Sequence, residues 1–426
     1  MGAAEATRMP IHTLLSGPAA GVTAAAALGA MLGESNLLTM DMGGTSTDIS
    51  MIDAGRIMTS LDGRVGDFPI MMPVTAIEAI GAGGGSVAWL DDGVLKVGPR
   101  SAGARPGPAC YGHGGTQPTV SDAYLLCGYL SEDAPLAGGL RLQPHLARAA
   151  MQPLAEALAR DAVSAAEAVV SIATANMLAS ALPFIARLGV SPAELTLMIF
   201  GGSGAIHGPL LADEIGIGRV VVPRLSAVFC AYGGLVSDLL YDVVRNVHGT
   251  RLDDAAIAGV FAELRGDGES WLAGQAASTK PELQYYADVR YAGQSFDIST
   301  ALPPEPGVDD IQTRFHAEHQ RRFGHADPGA ATEIIALRLR VRGALPAPGA
   351  VALPTAGREV PAYRERALRF NGAWHTAQVF AWADLPLGWS GHGPAVVEQA
   401  TATVVVPPSF NVSVGAFGDL LLRKEG

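Results

Sequence analysis

The segment DMGGTSTD at residues 41–48 combines the residue types that bind phosphate. Gly43 and Gly44 have no Cβ, so the backbone amides around them can point at an anion. The hydroxyl groups of Thr45 and Thr47 add hydrogen-bond donors to the same turn. The alternative is an ordinary hairpin with a polar turn, because this sequence also suits a tight connection between two strands.

The two aspartates that flank this segment, Asp41 and Asp48, indicate a divalent cation. Carboxylates repel phosphate, but a hydrated Mg²⁺ beside them can bridge to phosphate oxygens. Asp122, in the segment TVSDA, is a further candidate that would join Asp41 around the metal. We favour the alternative for Asp122, a cap for the helix AYLLCGYL, because a carboxylate near a helix start accepts hydrogen bonds from free backbone amides.

A second glycine cluster, FGGSG at residues 200–204, follows a predicted strand, TLMI, and opens a predicted helix. This arrangement places backbone beside a nucleotide or a phosphate group. Gly201, Gly202 and Ser203 are therefore candidates for nucleotide contacts. Taken alone the cluster says little, because many turns between a strand and a helix use glycine.

A third cluster, GAGGG at residues 81–85, lies between predicted strands. Gly83 and Gly84 either line the same nucleotide cleft or allow two backbone segments to cross closely. The sequence leaves both interpretations open. What it does indicate is a place where backbone must turn tightly or approach another group.

Cysteine and histidine provide two weaker candidates. Cys110 and His113 lie together in a loop rich in proline and glycine, and a Cys/His pair is one form of catalytic nucleophile. No third group that would orient the histidine is visible, so we favour a small buried thiol. His207 follows the FGGSG segment at a helix start, and we interpret it as a structural histidine.

The elements that must position these groups alternate between strands and helices. LLTMD and DISMI predict two strands around the first glycine turn, and TLMIF and RVVVP predict two more. Helical spacing predicts helices over residues 18–33, 144–160 and 161–188, and a helix rich in small residues over 226–241. Beyond it, mostly alternating strands and two helices predict a mixed α/β region with a β-rich end.

Composition excludes several classes of protein. The chain has 426 residues, 16% of them charged and 49% hydrophobic, with a net charge of −12. A nucleic-acid-binding protein needs a basic surface, so the charge disfavours that class, and the apolar content excludes a disordered chain. The three cysteines show no disulfide or metal-finger spacing and indicate a cytoplasmic protein. The uncharged stretch from Met9 to Gly33 contains two prolines and many alanines, which favours a buried helix over a membrane span.

Longer motifs connect these features to a known family. LSGPAAGV, DMGGTSTDIS, IGAGGGSVAWLDDG, VGPRSAGARPGPACYGHGGTQPTVSDA and FGGSGAIHG resemble segments of the hydantoinase A/oxoprolinase family. DVRYAGQSFDI, AEHQRRFGHADP and ATATVVVPPSFNVSVGAFGDLLL are similar to its C-terminal region. The resemblance runs essentially from Pro10 to the end of the chain.

The resemblance implies a fold and an activity. The fold is an actin-like ATPase (ribonuclease H-like) domain over residues 1–240, with its connecting helices, followed by a mixed α/β, β-rich C-terminal domain over 241–426. DMGGTSTD is similar to the second phosphate loop, and FGGSG to the adenosine motif. The implied activity is ATP- and Mg²⁺-dependent hydrolysis of a cyclic amide of the hydantoin or 5-oxoproline type, by phosphorylation of an amide or enol oxygen.

Two departures from the family pattern leave alternatives open. The chain has one DxGGTxTD sequence where the family usually has a further one in an N-terminal domain, and Glu78 stands where the family commonly has histidine. We therefore expect a hydantoinase B-like partner subunit or a companion chain that carries the first phosphate loop. The alternatives are a subunit of an acetone or acetophenone carboxylase-like complex, with a ketone substrate, and a non-catalytic nucleotide-binding or scaffold subunit.

Overall fold

A computed structural model describes residues 6–7, 10–60, 63–65, 68–69, 74–186, 190–250, 252–275, 280–346 and 361–425, and the following concerns those residues. The chain divides into two compact units. The larger unit comprises Leu15–Leu235 and Pro348–Gly426, and the smaller comprises Met1–Leu14 and Val236–Ala347. The predicted α/β fold class is confirmed, since both units combine helices with sheets.

The α-helices, numbered along the chain, are α1 (Ser16–Leu32), α2 (Val120–Leu126), α3 (Pro144–Ala157), α4 (Ala162–Ala186), α5 (Gly204–Ile215), α6 (Phe229–Val236), α7 (Asp254–Ala273) and α8 (Val308–Phe323). The helices predicted over 18–33, 144–160 and 161–188 start and end within four residues of those bounds. The exception is the helix predicted over 226–241. It ends at Val236, and a strand begins at Leu239. Just before that strand, Asp238 accepts a hydrogen bond of 2.7 Å from Arg342 of a neighbouring strand.

The strands of the first half of the chain are β1 (Leu37–Met42), β2 (Thr47–Asp53), β3 (Arg56–Ile57), β4 (Thr59–Ser60), β5 (Arg64–Val65), β6 (Phe68–Pro69), β7 (Val74–Thr75), β8 (Ile77–Ile80), β9 (Ser86–Asp91), β10 (Val94–Ser101), β11 (Thr196–Phe200) and β12 (Arg219–Val222). Those of the second half are β13 (Leu239–Asn246), β14 (Glu282–Tyr291), β15 (Ile298–Leu302), β16 (Thr332–Gly343), β17 (Tyr363–Phe370), β18 (Ala373–Ala381), β19 (Ser390–His392), β20 (Ala395–Gln399), β21 (Ala402–Val406), β22 (Phe410–Val414) and β23 (Leu420–Lys424).

The main sheet of the larger unit has the strand order β19-β22-β23-β12-β11-β1-β2-β3, and β8 also pairs with β2. Strands β1, β11 and β12 are parallel, and the others pair antiparallel. The carboxyl ends of the three parallel strands therefore meet at one edge of the sheet. The ends of β1 and β11 carry two of the glycine clusters.

Both faces of this sheet are covered, which explains why its central strands carry apolar side chains on both faces. On β1, Leu38 and Met40 face a core that contains residues of α4 and α5. Leu37 belongs to the core on the opposite face, beneath α1 and α6. Because side chains alternate along a strand, Asp41 lies on the Leu37 face, toward α1 and α6.

The end of the chain belongs to this same unit. Strand β23 pairs with β12, with Val220 opposite Leu422, and so continues the main sheet. Strands β17, β18, β20 and β21 form a four-stranded sheet of their own. The division into domains 1–240 and 241–426 stays a prediction, and the compact units are divided differently because the last strands complete a sheet that begins near residue 37.

The smaller unit contains a four-stranded sheet with the order β13-β16-β14-β15 and the helices α7 and α8. One face of β16 carries Leu337, Leu339 and Val341, which are fully buried in the core of this unit. The other face carries arginines. Arg338 and Asp288 form an ion pair in which the two side chains are only 9% and 12% exposed.

One helix among the described residues, α4, is long and apolar enough to cross a membrane by length and composition alone. Its residues are shared between two cores of the larger unit. Ala166 and Val169 pack with α2 and α3, whereas Met177 and Ala181 pack against the main sheet. The apolar character of α4 is thus explained by its burial on two sides within the protein.

We expect Asp288→Ala to lower the free energy of unfolding by about 3 kcal/mol or more, because it leaves the Arg338 charge buried without its carboxylate. Glu263→Ala is the control. Glu263 pairs with Arg245 while the two side chains are 66% and 48% exposed, so its loss should cost only about 0–1 kcal/mol. Urea unfolding followed by circular dichroism compares them, and equal effects of both substitutions would contradict the role of the buried pair.

Candidate functional site

The site is built around Asp41, near the carboxyl end of β1. In the sheet, Asp41 lies directly opposite Asp48 of the antiparallel strand β2 and in register with Phe200 of the parallel strand β11. It therefore stands between the loop that joins β1 to β2 and the loop that follows β11. These loops, residues 43–46 and 201–203, contain the glycines of the DMGGTSTD and FGGSG segments.

The first loop is a tight hairpin turn. The amide of Gly43 donates a hydrogen bond to the carbonyl of Ser46 at 3.0 Å. Gly44 and Thr45 form the tip and are exposed. The turn thus has hairpin geometry, and it presents to solvent the backbone and hydroxyl groups that the sequence suggests for phosphate.

Thr47 differs from the other members of this loop. It is fully buried, and its hydroxyl donates a hydrogen bond of 2.5 Å to the carbonyl of Ala82. A threonine hydroxyl has a single proton to donate. Thr47 therefore connects the 43–46 turn to the third glycine cluster by a hydrogen bond. Its hydroxyl has no further proton to donate to a ligand.

The third cluster, residues 81–85, packs directly on the turn. The amides of Gly84 and Gly85 donate to the carbonyls of Gly43 and Gly44 at 3.0 and 2.6 Å. A Cβ at Gly83 would lie 2.8 Å from the backbone nitrogens of Thr45 and Ser46, closer than such atoms approach. These contacts are those of a close backbone crossing. The hydrogen bonds from the 81–85 loop hold the turn in place.

The second cluster closes the other side of Asp41. Gly201 has a φ of +84°, and a Cβ there would lie 2.5 Å from Asp41 Oδ1. The amide of Ser203 donates to the carbonyl of Met42 at 3.0 Å, and that of Gly201 to the carbonyl of Ser226 at 2.9 Å. Gly202 is exposed with open space around it. The backbone of this loop therefore reaches the Asp41 carboxylate closely.

The electrostatics of the site follow from partial burial. Burial raises the pKa of Asp41, and the hydrogen bond that it accepts from the Cys230 thiol, at 3.1 Å, partly opposes this. The pKa of Asp48 is raised by burial and by the negative charge of Asp41. The two half-buried carboxylates thus lie opposite each other on neighbouring strands. Each ionises less readily than a carboxylate in water.

This carboxylate pair fits a hydrated Mg²⁺, which is a hard cation that prefers oxygen ligands and retains water. The cation would offset the burial that raises both pKa values and the repulsion that adds to the shift of Asp48. The described part of the chain holds no group of three or more histidine, cysteine, aspartate or glutamate side chains placed to bind a metal directly. A dedicated all-protein metal cage is therefore absent from that part, whereas water-mediated binding at two carboxylates suits the geometry.

The Asp122 carboxylate caps a helix. It is fully buried at the start of α2 and accepts hydrogen bonds from the amides of Ala109, Cys110 and Thr119 and from the Thr119 hydroxyl, at 2.7–3.3 Å. Thr119 and Asp122 form a reciprocal capping box. These contacts are those of the helix-capping alternative and account for both carboxylate oxygens.

The cysteine and histidine candidates also have structural partners. Burial raises the pKa of the Cys110 thiol, and His113 is exposed to solvent. His207 is completely buried, with Nδ1 2.6 Å from the Tyr124 hydroxyl and Nε2 3.1 Å from Thr174 Oγ1. Burial lowers the pKa of His207 to about 4, so the ring is neutral at pH 7. The predicted structural role of His207 agrees with these contacts.

Two features of the site escape sequence reasoning. One is Cys230 of α6, which reaches Asp41 across 189 positions of the chain. The other is the pair Leu225 and Val228, which are 51% and 53% exposed on either side of Ser226, the residue that binds Gly201. Near them, the sequence predicts only the helix rich in small residues over 226–241. Glu78, by contrast, lies exposed on β8, in register with Ile49 of β2.

Comparison with known proteins identifies the family. A family model described as hydantoinase/oxoprolinase matches residues 1–243, and one for the hydantoinase/oxoprolinase C-terminal domain matches residues 254–424. The chain belongs to the hydantoinase/oxoprolinase family. The resemblance stated from the motifs is thereby confirmed, and so is the fold class of an actin-like ATPase domain with a C-terminal α/β domain.

Several family members are similar over almost all of this chain. The caprolactamase subunit alpha of Pseudomonas jessenii is 34% identical over 422 residues, which are 95% of this chain and 60% of the relative. The acetone carboxylase beta subunit of Xanthobacter autotrophicus is 28% identical over 94% of this chain and 59% of its own. 5-oxoprolinase 1 of Arabidopsis thaliana is 26% identical, over 100% and 35%.

Two solved structures of the family agree with the fold. The crystal structure of ATP-dependent caprolactamase from Pseudomonas jessenii has a TM-score of 0.83 at 32% identity and covers 96% of this chain and 62% of its own. The nucleotide-free structure of acetone carboxylase has a TM-score of 0.77 at 27% identity, over 96% and 61%. This chain thus spans about three fifths of the length of each structure.

We expect Gly83→Ala to destabilise the chain by about 1–3 kcal/mol, because the added methyl group overlaps the backbone of the 43–46 turn. Gly202→Ala is the matched control. Its methyl group meets nothing within 4 Å, so the melting temperature should stay close to that of the wild type. Thermal unfolding tests both, and an unchanged melting temperature for Gly83→Ala would contradict the close crossing.

The raised pKa values predict a second effect. The folded chain binds protons at Asp41 and Asp48 more tightly than the unfolded chain does, so the stability that depends on this pair falls as the pH rises through the raised pKa values. Asp48→Asn removes one charge. We expect its melting temperature to exceed that of the wild type at pH 7, and the difference to vanish at acidic pH, where the wild-type carboxyls are protonated.

Asp53→Asn, at the other end of β2, is the control for this substitution and should show no such gain. Scanning calorimetry between pH 4 and pH 8 provides the comparison. A melting temperature of Asp48→Asn at or below the wild-type value at pH 7 would show that repulsion between the two carboxylates is not a cost to folding.

Proposed function

We propose that this chain is the nucleotide-binding part of an ATP-dependent cyclic amide hydrolase of the hydantoinase/5-oxoprolinase type. The observation that carries the proposal is the half-buried pair of Asp41 and Asp48, enclosed by backbone loops on both sides. Relatives that are named caprolactamase and 5-oxoprolinase support the substrate class, since both names denote enzymes that act on cyclic amides. The site residues and their roles are part of the proposal.

In this proposal each loop has a separate task. Asp41 and Asp48 would hold a hydrated Mg²⁺, and the exposed tip of Gly44 and Thr45 would donate hydrogen bonds to phosphate oxygens. Gly43, whose amide binds the Ser46 carbonyl, would shape the turn beside the phosphate. The loop of Gly201, Gly202 and Ser203 lies beside the adenosine, and the exposed apolar pair Leu225 and Val228 offers a surface for the base. Gly83, Gly84 and Thr47 act indirectly, because their contacts hold the turn in place.

Mg²⁺, when bound, supplies positive charge that stabilises the transferring phosphoryl group. The protein's own contribution is orientation. Backbone amides fixed by the crossing at residues 81–85 need no reorganisation when charge develops on the phosphate oxygens. Phosphoryl transfer requires little covalent participation by the protein. Backbone donors and carboxylates are therefore the kinds of group that such a site needs.

The chemistry explains why a cyclic amide needs ATP. Amide resonance makes the carbonyl carbon a poor electrophile and the nitrogen a poor leaving group. Attack of the amide oxygen on the γ-phosphorus releases ADP and gives an O-phosphorylated imidate. Water then adds to the carbon, the C–N bond breaks, and an acyl phosphate forms. A second water releases phosphate and leaves the open-chain amino acid.

We also propose that the chain works with a partner in the cytoplasm. The caprolactamase and acetone carboxylase relatives are named as subunits, which supports a partner subunit, of which a hydantoinase B-like chain is our candidate. A companion chain with a further phosphate loop is the other candidate.

All three cysteines are free thiols, in accord with a reducing compartment. The relatives named as carboxylase subunits keep carboxylation as the second candidate function.

Calorimetry with Mg·ATP tests the nucleotide site directly. We expect saturable binding by the wild type and at least about 100-fold weaker binding by Asp41→Asn, because the cation loses a charged ligand. Asp53→Asn is the control and should bind like the wild type. Absence of saturable binding, or equal binding by Asp41→Asn, would instead support a non-catalytic scaffold.

A second assay tests the reaction. The chain is incubated with ATP and 5-oxoproline, hydantoin or caprolactam, alone and with a hydantoinase B-like subunit, and ADP and ring-opened product are measured. We expect one ADP for each ring opened. Incorporation of labelled bicarbonate into a ketone, without ring opening of any amide, would overturn the hydrolase in favour of the carboxylase.

A further inference from the structure

The Cys230 side chain links the second of two crossing helices to the carboxylate at the centre of the site. It projects from α6, and its Sγ lies 3.1 Å from Asp41 Oδ2. Cys110 and Cys127 are fully buried, whereas Cys230 is half-buried. The contact leaves the other carboxylate oxygen, Oδ1, on the side of Gly201. Cys230 therefore restrains how the Asp41 carboxylate is turned.

Helix α1 leaves a space for this thiol. A Cβ at Gly21 would lie 2.8 Å from Cys230 Sγ and 2.7 Å from a ring carbon of Phe200, so a larger residue would displace both. One turn further along α6, Gly233 packs so closely on the Ala20 carbonyl that a Cβ would overlap it. The thiol is thus enclosed between α1, the end of β11 and Asp41.

The thiol is the donor in this contact. An ionised carboxylate only accepts hydrogen bonds, so the proton lies on sulfur.

We propose that Cys230 is a positioning residue for Asp41, whose thiol holds the carboxylate in the orientation that Mg²⁺ binding requires. The inference rests on the proposed function, in which Asp41 acts through that cation. Partners of metal-binding groups commonly orient them, and their loss weakens metal binding without removing a ligand. A merely space-filling cysteine would have no need of a donor, and this difference can be tested.

Two substitutions separate donor from volume. Cys230→Ala removes the donor, and Cys230→Ser keeps one of similar size. We expect Cys230→Ala to raise the Mg²⁺ concentration for half-maximal stabilisation of the chain with ATP by about 10-fold, and Cys230→Ser to restore it to near the wild-type value. The KM for the cyclic amide should be unchanged. Leu235→Ala, an exposed position of the same helix, is the control and should behave as the wild type.

An infrared measurement tests the contact without relying on metal or activity. The S–H stretching band of Cys230 is identified by its loss in Cys230→Ser. We expect Asp41→Asn to shift this band, because a neutral amide oxygen is a weaker acceptor than a carboxylate. This readout also remains informative if Cys230→Ala does not fold, since it needs only the serine and asparagine variants. An unshifted band would overturn the proposal.

Different results would contradict the role of Cys230 and the proposed function. If the wild type shows no Mg·ATP binding, the proposed function fails first. If the wild type binds and Asp41→Asn does not, while Cys230→Ala shows wild-type Mg²⁺ dependence, the site stands and the positioning role of Cys230 is wrong. Equal loss in Cys230→Ala and Cys230→Ser, with lowered melting temperatures, would show a packing role instead.

Discussion

The site depends on close packing around one half-buried carboxylate. The turn at residues 43–46 follows Asp41 in the chain, the 201–203 loop lies against one of its carboxylate oxygens, and the Cys230 thiol lies against the other. At Gly83 and Gly201 the distances leave no room for a Cβ. Glycine is present at these positions because backbone itself, not a side chain, forms the wall of the site.

The sheet makes this convergence possible. Strands β1 and β11 run parallel, so their carboxyl ends and the loops after them lie side by side. Alternation along β1 sends Leu38 and Met40 to one core and places Asp41 on the opposite face, beneath α1 and α6. The strand is apolar because both faces are covered. Its aspartate is half-buried for the same reason, which raises its pKa and makes a cation a suitable partner.

The buried polar groups around the site differ from its two carboxylates in how well the fold satisfies them. The hydrogen bonds at Thr47, Asp122 and His207 leave those buried polar groups satisfied. Asp41 and Asp48, in contrast, resist ionisation in the folded chain. A site that destabilises its own charges in the absence of a cation is typical of functional groups held by a rigid scaffold. This contrast separates the residues that support the structure of the site from those that we propose to hold the cation.

The hairpin around DMGGTSTD, the strand–loop–helix at FGGSG, the α/β class and the family could be predicted from the sequence, because these features depend on neighbouring residues. The same sequence left Gly83, Gly84 and Asp122 between two interpretations each, and it assigned Thr47 to phosphate. The folded structure shows that Thr47 donates to Ala82, that the 81–85 loop crosses the turn, and that Cys230 reaches Asp41. The reason is physical: these contacts join residues 35 to 189 positions apart, and no local pattern of residue types records which distant backbone a side chain will meet.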